Sequence, residues 1–379
     1  MTSTKPRLCI VSEELDLPTD EGLKKFVYSI AGPLSQVAEV RILATATRGP
    51  LGPGAQKARA NRFLFGSDLR RRLRAFDPDA VIYVPRAAGT RNSFIRARVL
   101  RAHVPRARTM LVSLQPRAYG PITRSLLPRA HPDVTVAQSN RVRDELRQLG
   151  LPSIALPSGV DLHTFRPIAP GLRTALRREY GLPENAFVVL HVGHFRRERN
   201  VMFLGRLKRE LRCEVVMVGS TSTDAQSEVE AALRVMGVRV IDQYVERVQD
   251  LYAVADCYVF PVHVMHGAIE MPLSVLEAMA CGVPVVSTHF GSLTEWLDEG
   301  PGLTYAATDR ELLEIVRAQR DNPTRPDSEE IRDRVATFGW EAIAGRVMEA
   351  LSLPLAATAG MDLSGADEPK MAARTANVL

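Results

Sequence analysis

The sequence predicts an α/β protein built as two parallel-sheet domains, and three observations carry that expectation. Short apolar runs bounded by turn residues alternate with helix-forming stretches, the order that parallel strands with helical crossovers require. The alternation runs through the first half and begins again in the second. At 379 residues the chain is also longer than one hydrophobic core usually supports. Its 45% hydrophobic and 24% charged residues are those of an ordinary globular protein.

In the first half, Arg7 to Ser12 reads as a buried strand, and Glu21-Gly22-Leu23-Lys24-Lys25 opens a helix after a loop. Val40 to Ala44 and Ala80 to Val84 are further strands, the second introduced by the turn Asp77-Pro78-Asp79. Gly49 to Gly54 is a loop and Ser67 to Ala75 a basic helix. Thr109 to Leu114 is a strand running into Gln115-Pro116-Arg117, and Val134 to Ala137 follows. The Ser139 hydroxyl is placed to cap a helix that ends at Gly150. Residues 1–165 therefore read as a Rossmann-like domain.

Residues 166–337 repeat the pattern, with strands at Phe187 to Val192, Glu214 to Gly219, Val238 to Ile241, Cys257 to Pro261 and Val283 to Thr288, and a helix at Asp250 to Asp256. Gly339-Trp340-Glu341 begins a last helix over about 338–352. Residues 353–379 are Ala, Gly, Ser and charge without periodicity, the composition of a disordered tail.

Cys9, Cys213, Cys257 and Cys281 are scattered without CxxC spacing and read as reduced core thiols of an intracellular protein. No long apolar run follows the N-terminal basic residues, which argues against a signal peptide. No segment approaches the roughly 18 apolar residues of a membrane span. A cytoplasmic location is expected. The net charge of +6 is carried by arginines of the first half, in the run Arg70, Arg71, Arg72, Arg74 and again from Arg91 through Arg96, Arg98, Arg101 and Arg106 to Arg108. A solvated helix face is the simplest account. An Arg-rich surface also leaves open an anionic acceptor or a peripheral contact with an acidic membrane. Nucleic acid is not expected, because no binding motif or aromatic platform accompanies the arginines. No metal site is expected either: His191 and His194 point to opposite faces of a strand end, and His263 and His266 share a loop without a nearby Cys or Asp.

One stretch organises the chain: Glu270 to Thr288, reading EMPLSVLEAMACGVPVVST. Pro272 suits a first helical position, Gly282 a C-terminal stop, and Pro284 bars continuation, so a helix of about two to three turns runs into a strand. Leu273, Val275, Leu276, Ala278, Met279 and Ala280 cover nearly the whole circumference, as in a helix packed on most sides. Ser274 and Glu277 share the remaining face. No Lys or Arg stands at a position within the helix that pairs with Glu277. A carboxylate so placed needs a distant partner or a ligand.

On these residues the chain resembles the retaining glycosyltransferases of the GT-B fold, specifically glycosyltransferase family 4, whose signature sets an acidic pair around and before Ala-Met-Ala-x-Gly-x-Pro-Val. The resemblance implies two Rossmann-like domains facing each other across a cleft. It implies transfer of a sugar from a nucleoside diphosphate sugar to an acceptor, with retention at the anomeric carbon and with no metal or other cofactor. Glu277 is then the ribose ligand and Glu270 the partner of the sugar hydroxyls. The donor phosphates meet the helix start at Met271, Pro272, Leu273 and Ser274, where free N–H groups and the positive dipole end lie.

The turn Gly193-His194-Phe195-Arg196-Arg197-Glu198-Arg199-Asn200 resembles the family's diphosphate-binding turn, with Arg199 at the place of a Lys, His194 at the place of an Arg, and Arg196 as its substitute. Arg199 adds bidentate geometry toward phosphate oxygens. Gly219 and Val245 fall in the loops that flank the base, Gly22 in the loop over the phosphates, and His266 near the sugar. Pro157-Ser158-Gly159-Val160-Asp161 and Phe165-Arg166-Pro167 resemble the family's exit from its first domain.

Three departures accompany the match. Glu270 stands one position nearer Glu277 than the family's first acid, and Ile269 occupies that place. His194 replaces an Arg, and Gln115 stands where the family has a histidine. They motivate an alternative, a nucleotide-sugar binding or regulatory subunit without turnover. Neither acceptor nor oligomeric state is marked by a motif.

Overall fold

The computed structural model describes residues 5–86, 88–220, 227–265, 268–322 and 326–353. His266 and residues 354–379, nearly all of the expected tail, lie outside them. Strands β1 (Arg7–Ser12), β2 (Glu39–Ala44), β3 (Ala55–Lys57), β4 (Ala80–Val84), β5 (Arg108–Ser113), β6 (Val134–Ala137) and β7 (Ser153–Ala155) form a seven-stranded sheet ordered β3-β2-β1-β4-β5-β6-β7. Strands β8 (Val188–Gly193), β9 (Glu214–Gly219), β10 (Arg239–Ile241), β11 (Cys257–Phe260), β12 (Val285–Thr288) and β13 (Leu303–Ala306) form a six-stranded sheet ordered β10-β9-β8-β11-β12-β13. The strand pairings are parallel, from Leu8 against Ala80 in the first sheet to Gly193 against Gly219 in the second.

Because side chains alternate across a strand, each sheet feeds two cores. Leu8 and Ile10 pack under the helix Gly22–Val37, while Cys9 and Val11 pack on the opposite face with Phe94 and Leu100. In the second sheet Val188 and Leu190 point one way and Val189 the other. This double burial explains why the strands read as unbroken apolar runs.

The helix Trp340–Ala350 leaves the second domain and packs on the first. Trp340, Ile343, Val347 and Met348 join the core beneath Gly22–Val37, with the Trp340 ring edge-on to Phe26 at 5.3 Å. Gly159 permits that crossing, since a Cβ there would stand 2.5 Å from the indole. Val160 and Phe165, on the first-domain side of the expected boundary, instead pack in the second domain's core.

The arginine run lies on the helix Ser67–Phe76, where Arg71 and Arg72 pair with Asp68 and Arg74 donates to the His103 carbonyl. Among the described residues no helix is long and apolar enough to cross a membrane.

Candidate active site

A cavity of about 390 Å³ opens at the C-terminal ends of the strands, between the two domains. The second domain contributes Val192, Gly193 and His194 after β8, Val218, Gly219 and Ser220 after β9, and Phe260 at the end of β11. β8 and β11 are neighbours on which the chain order reverses, the place where open α/β sheets bind ligands. From the first domain come Glu21, Gly22 and Lys25 at the start of the first helix, with Leu114 and Gln115 after β5.

Gly193 sets the geometry of the turn. A Cβ at this position would lie 2.7 Å from His191 Nε2 and 3.1 Å from Arg199 Nη1, so only glycine lets the guanidinium fold back over the strand end. Arg199 thereby faces the cavity. Its Nε is buried without a hydrogen-bond partner, and no carboxylate forms an ion pair with it among the described residues. Burial pulls its pKa down to about 10, with the Arg196 charge adding to the effect. Tyr258 and Glu21 offset part of that cost of burial, but with no carboxylate in ion-pair contact among the described residues the cation is suited to an anion.

The histidines of the turn are neutral. Burial and the nearby Arg199 charge lower His194 to about 3. His191 is fully buried, hydrogen-bonded through Nδ1 to the Val259 carbonyl at 2.8 Å, and lowered to about 4. His194 lines the cavity as a neutral imidazole and so does not carry an arginine's charge there.

The signature forms the helix Leu273–Ala280 with Pro272 one position earlier than expected, at the N-cap. Gly282 ends it at φ +66°, a conformation suited to glycine. Pro272, Leu273, Ser274 and Glu277 line the cavity, so the helix start and the ribose candidate share one wall. Glu277 is 4% exposed. Its Oε2 accepts from the Tyr252 hydroxyl at 2.9 Å, and its Oε1 accepts from Lys25 Nζ of the first domain. Burial and the carboxylate push the Tyr252 phenol well above its usual range, which keeps it a donor. Neither partner is within the helix, as the sequence required. Lys25 has no local signal as a Glu277 partner, since only the fold joins positions 252 residues apart.

Several of the expected residues sit away from the cavity wall. Ile269, not Glu270, stands on the cavity wall, where it approaches Gly22. Glu270 turns to the first domain: its Oε1 accepts from Ser139 Oγ at 2.8 Å and lies 3.4 Å from Arg141 Nη2. The missing residue between the two glutamates places the acid one step off the position that faces the cavity. Met271 is buried and donates its N–H to Gln138 Oε1 at 3.0 Å, so that amide is engaged across the domain junction. Arg196 is exposed and away from the cavity wall, because Phe195 packs against Gly219, leaving no room there for a Cβ. His263 has an acidic neighbour after all, Asp309 Oδ1 at 2.8 Å. His266 lies outside the described residues. Gly22, Gly193, Gly219 and Val245 do line the cavity, with Tyr244, Glu246 and Gln249 beside Val245.

Residues 186–318 match the family model described as Glycosyl transferases group 1. A D-inositol 3-phosphate glycosyltransferase of Kineococcus radiotolerans is 32% identical over 225 residues, 52% of this chain and 50% of that protein. The chain thus spans about half the length of the curated relatives it matches. Among solved structures, a sucrose-phosphate synthase from Thermosynechococcus elongatus superposes with a TM-score of 0.73 at 16% identity, over 91% of this chain and 98% of that one. Anabaena Alr3699/HepE, solved in complex with UDP, superposes with a TM-score of 0.70 at 15% identity, over 91% and 99%. The two parallel-sheet domains are those of the GT-B fold.

Proposed function

We propose that this protein is a glycosyltransferase that moves a sugar from a nucleoside diphosphate sugar to an acceptor, with retention at the anomeric carbon and without a metal. One observation carries the reading: the half-buried Arg199 guanidinium, its Nε buried without a partner and no carboxylate in ion-pair contact among the described residues, faces a cavity at the switch point of a parallel sheet. A diphosphate is the anion this arrangement suits. Arg199 offers bidentate donors, and the helix beginning at Leu273 turns its positive end to the same cavity.

The mechanism follows from what these groups do. As the bond between sugar and diphosphate breaks, negative charge grows on the leaving phosphate, and fixed positive groups in a site shielded from water stabilise it without rearranging. Arginine keeps its charge throughout and acts electrostatically. Glu277 receives the ribose hydroxyls, Gly219 and Val245 bound the base, and the sugar lies toward Ile269 and Gln115. Apposition of two domains excludes water that would hydrolyse the donor. Retention and metal independence rest on the likeness of the signature to family 4. The inositol phosphate glycosyltransferase relative makes polyol phosphates the first acceptors to try.

The test is a thermal-shift panel of UDP, GDP, ADP and their sugars, followed by product analysis with the donor that binds. Ligand at one hundred times its dissociation constant stabilises by about 2.7 kcal/mol. A shift with one nucleotide series and formation of a glycoside are expected. The absence of any shift across the panel contradicts the reading.

A further inference from the structure

Glu277, the candidate ribose ligand, already has a partner on each oxygen. Tyr252 is 0% exposed and locked in the core, with its ring 5.8 Å from Phe165 and 5.7 Å from Tyr258. Lys25 is the less enclosed partner: its side chain is 31% exposed, its ammonium lies 5.3 Å from the Phe165 ring centroid, and it lines the cavity with Glu277 and Arg199. Lys25 comes from the first domain's leading helix and Glu277 from the second domain. The ion pair is therefore a strut across the cavity wall.

A ribose diol and Lys25 compete for Glu277 Oε1. The diol is neutral, so a nucleoside that took this oxygen would leave the ammonium in a recess already holding the Arg199 charge. Releasing one partner of a largely buried pair is costly unless another charge replaces it. A diphosphate supplies that charge in the same cavity.

Resting on the nucleotide reading above, we propose that Lys25 is a positioning residue that couples the two halves of donor recognition: its exchange from Glu277 to the donor's diphosphate makes ribose binding depend on the phosphates. A nucleoside alone is then held back by the ion pair, and a nucleoside diphosphate is favoured beyond what Arg199 contributes. The same exchange replaces a direct link between the domains with one that runs through the donor.

Titration calorimetry with a nucleoside and its diphosphate, using whichever of the UDP, GDP and ADP series binds, tests this in wild type and Lys25→Met. The variant is expected to bind the nucleoside as well as or better than wild type and the diphosphate more weakly, so that the preference for the diphosphate falls about tenfold or more, the scale of a charge-assisted bond. Lys25→Arg, which keeps the charge, is expected to retain most of the preference. Equal changes for both ligands, or an unchanged preference, overturn the proposal and leave Lys25 a structural strut. Should Lys25→Met not fold, the comparison moves to the Glu277→Gln background, where no buried carboxylate is left unpaired. There Lys25→Met is expected to weaken the diphosphate alone, and equal effects on both ligands overturn the proposal. Failure of wild type to bind any nucleotide would instead refute the donor-site reading itself.

Discussion

The Ser139 hydroxyl donates to Glu270 Oε1 at 2.8 Å while accepting the Val142 N–H at 3.1 Å, so one residue caps a first-domain helix and holds a second-domain acid. Around it, Asn140 N–H reaches Glu295 and Trp296 Nε1 reaches the Gln138 carbonyl at 2.7 Å. Residues 138–140 are thus a fastening between the domains, and Glu270 belongs to it.

Glu270 is 1% exposed, with Oε2 lacking a partner among the described residues. Burial raises its pKa, against the opposing effects of Ser139 and Arg141 and with Glu295 and Glu145 adding to it. An acid raised on folding contributes stability that is present below its unfolded pKa and is lost as pH rises through the folded value. Glu270→Gln, which keeps an oxygen for Ser139, is expected to be at least as stable as wild type at pH 7. That advantage should vanish in acid, and nucleotide affinity should be unchanged. Denaturant melts at several pH values and one titration check this.

The two histidines give the opposite slope. Both are lowered from 6.5, His191 to about 4 and His194 to about 3. The unfolded chain takes up protons near pH 6.5 that the fold refuses, so stability is full above that value and falls as pH drops toward 4. For His191 the loss by pH 5, relative to its full contribution at high pH, is about 2 kcal/mol. His191→Phe, placed among Tyr258 and Phe260, should show a shallower decline in unfolding midpoint over that range than wild type.

Gly193→Ala is expected to destabilise by about 1 to 3 kcal/mol through overpacking. The added methyl displaces either His191 Nε2 or Arg199 Nη1, which it would approach to 2.7 and 3.1 Å. Diphosphate affinity should fall with stability, whereas an alanine at Gly54, with nothing within 4 Å though at φ +74°, should cost stability alone. Paired chemical melts and titrations separate the two.

Much of this arrangement was legible in the residues, and the exceptions have physical causes. Glu277 stood out because helix periodicity fixes its direction and leaves it without a local counter-ion. The strands of both sheets were readable as apolar runs, except β3 and β7, whose Ala-Gln-Lys and Ser-Ile-Ala carry little apolar pattern, and β13, which had no distinguishing signal. Glu270 precedes the helix, where periodicity says nothing about direction, and its displacement by one position sends Ile269 to the wall instead. Arg196 and Arg199 looked alike in sequence. The burial of Phe195 at 2% exposure separates them, and that depends on Gly219 from a neighbouring strand. Lys25 illustrates the general limit, since a partner contributed by the other domain leaves no local trace.

The central claim is that the half-buried Arg199 charge, without a carboxylate in ion-pair contact among the described residues, is there to meet a diphosphate. Calorimetric titration of wild type and Arg199→Ala with a nucleoside and with its diphosphate tests it most directly. The account predicts that the variant loses about tenfold or more in diphosphate affinity, the equivalent of about 1.5 to 3 kcal/mol for a charge-assisted bond, while nucleoside affinity holds. Equal losses for the two ligands, or an undiminished diphosphate affinity, would contradict it.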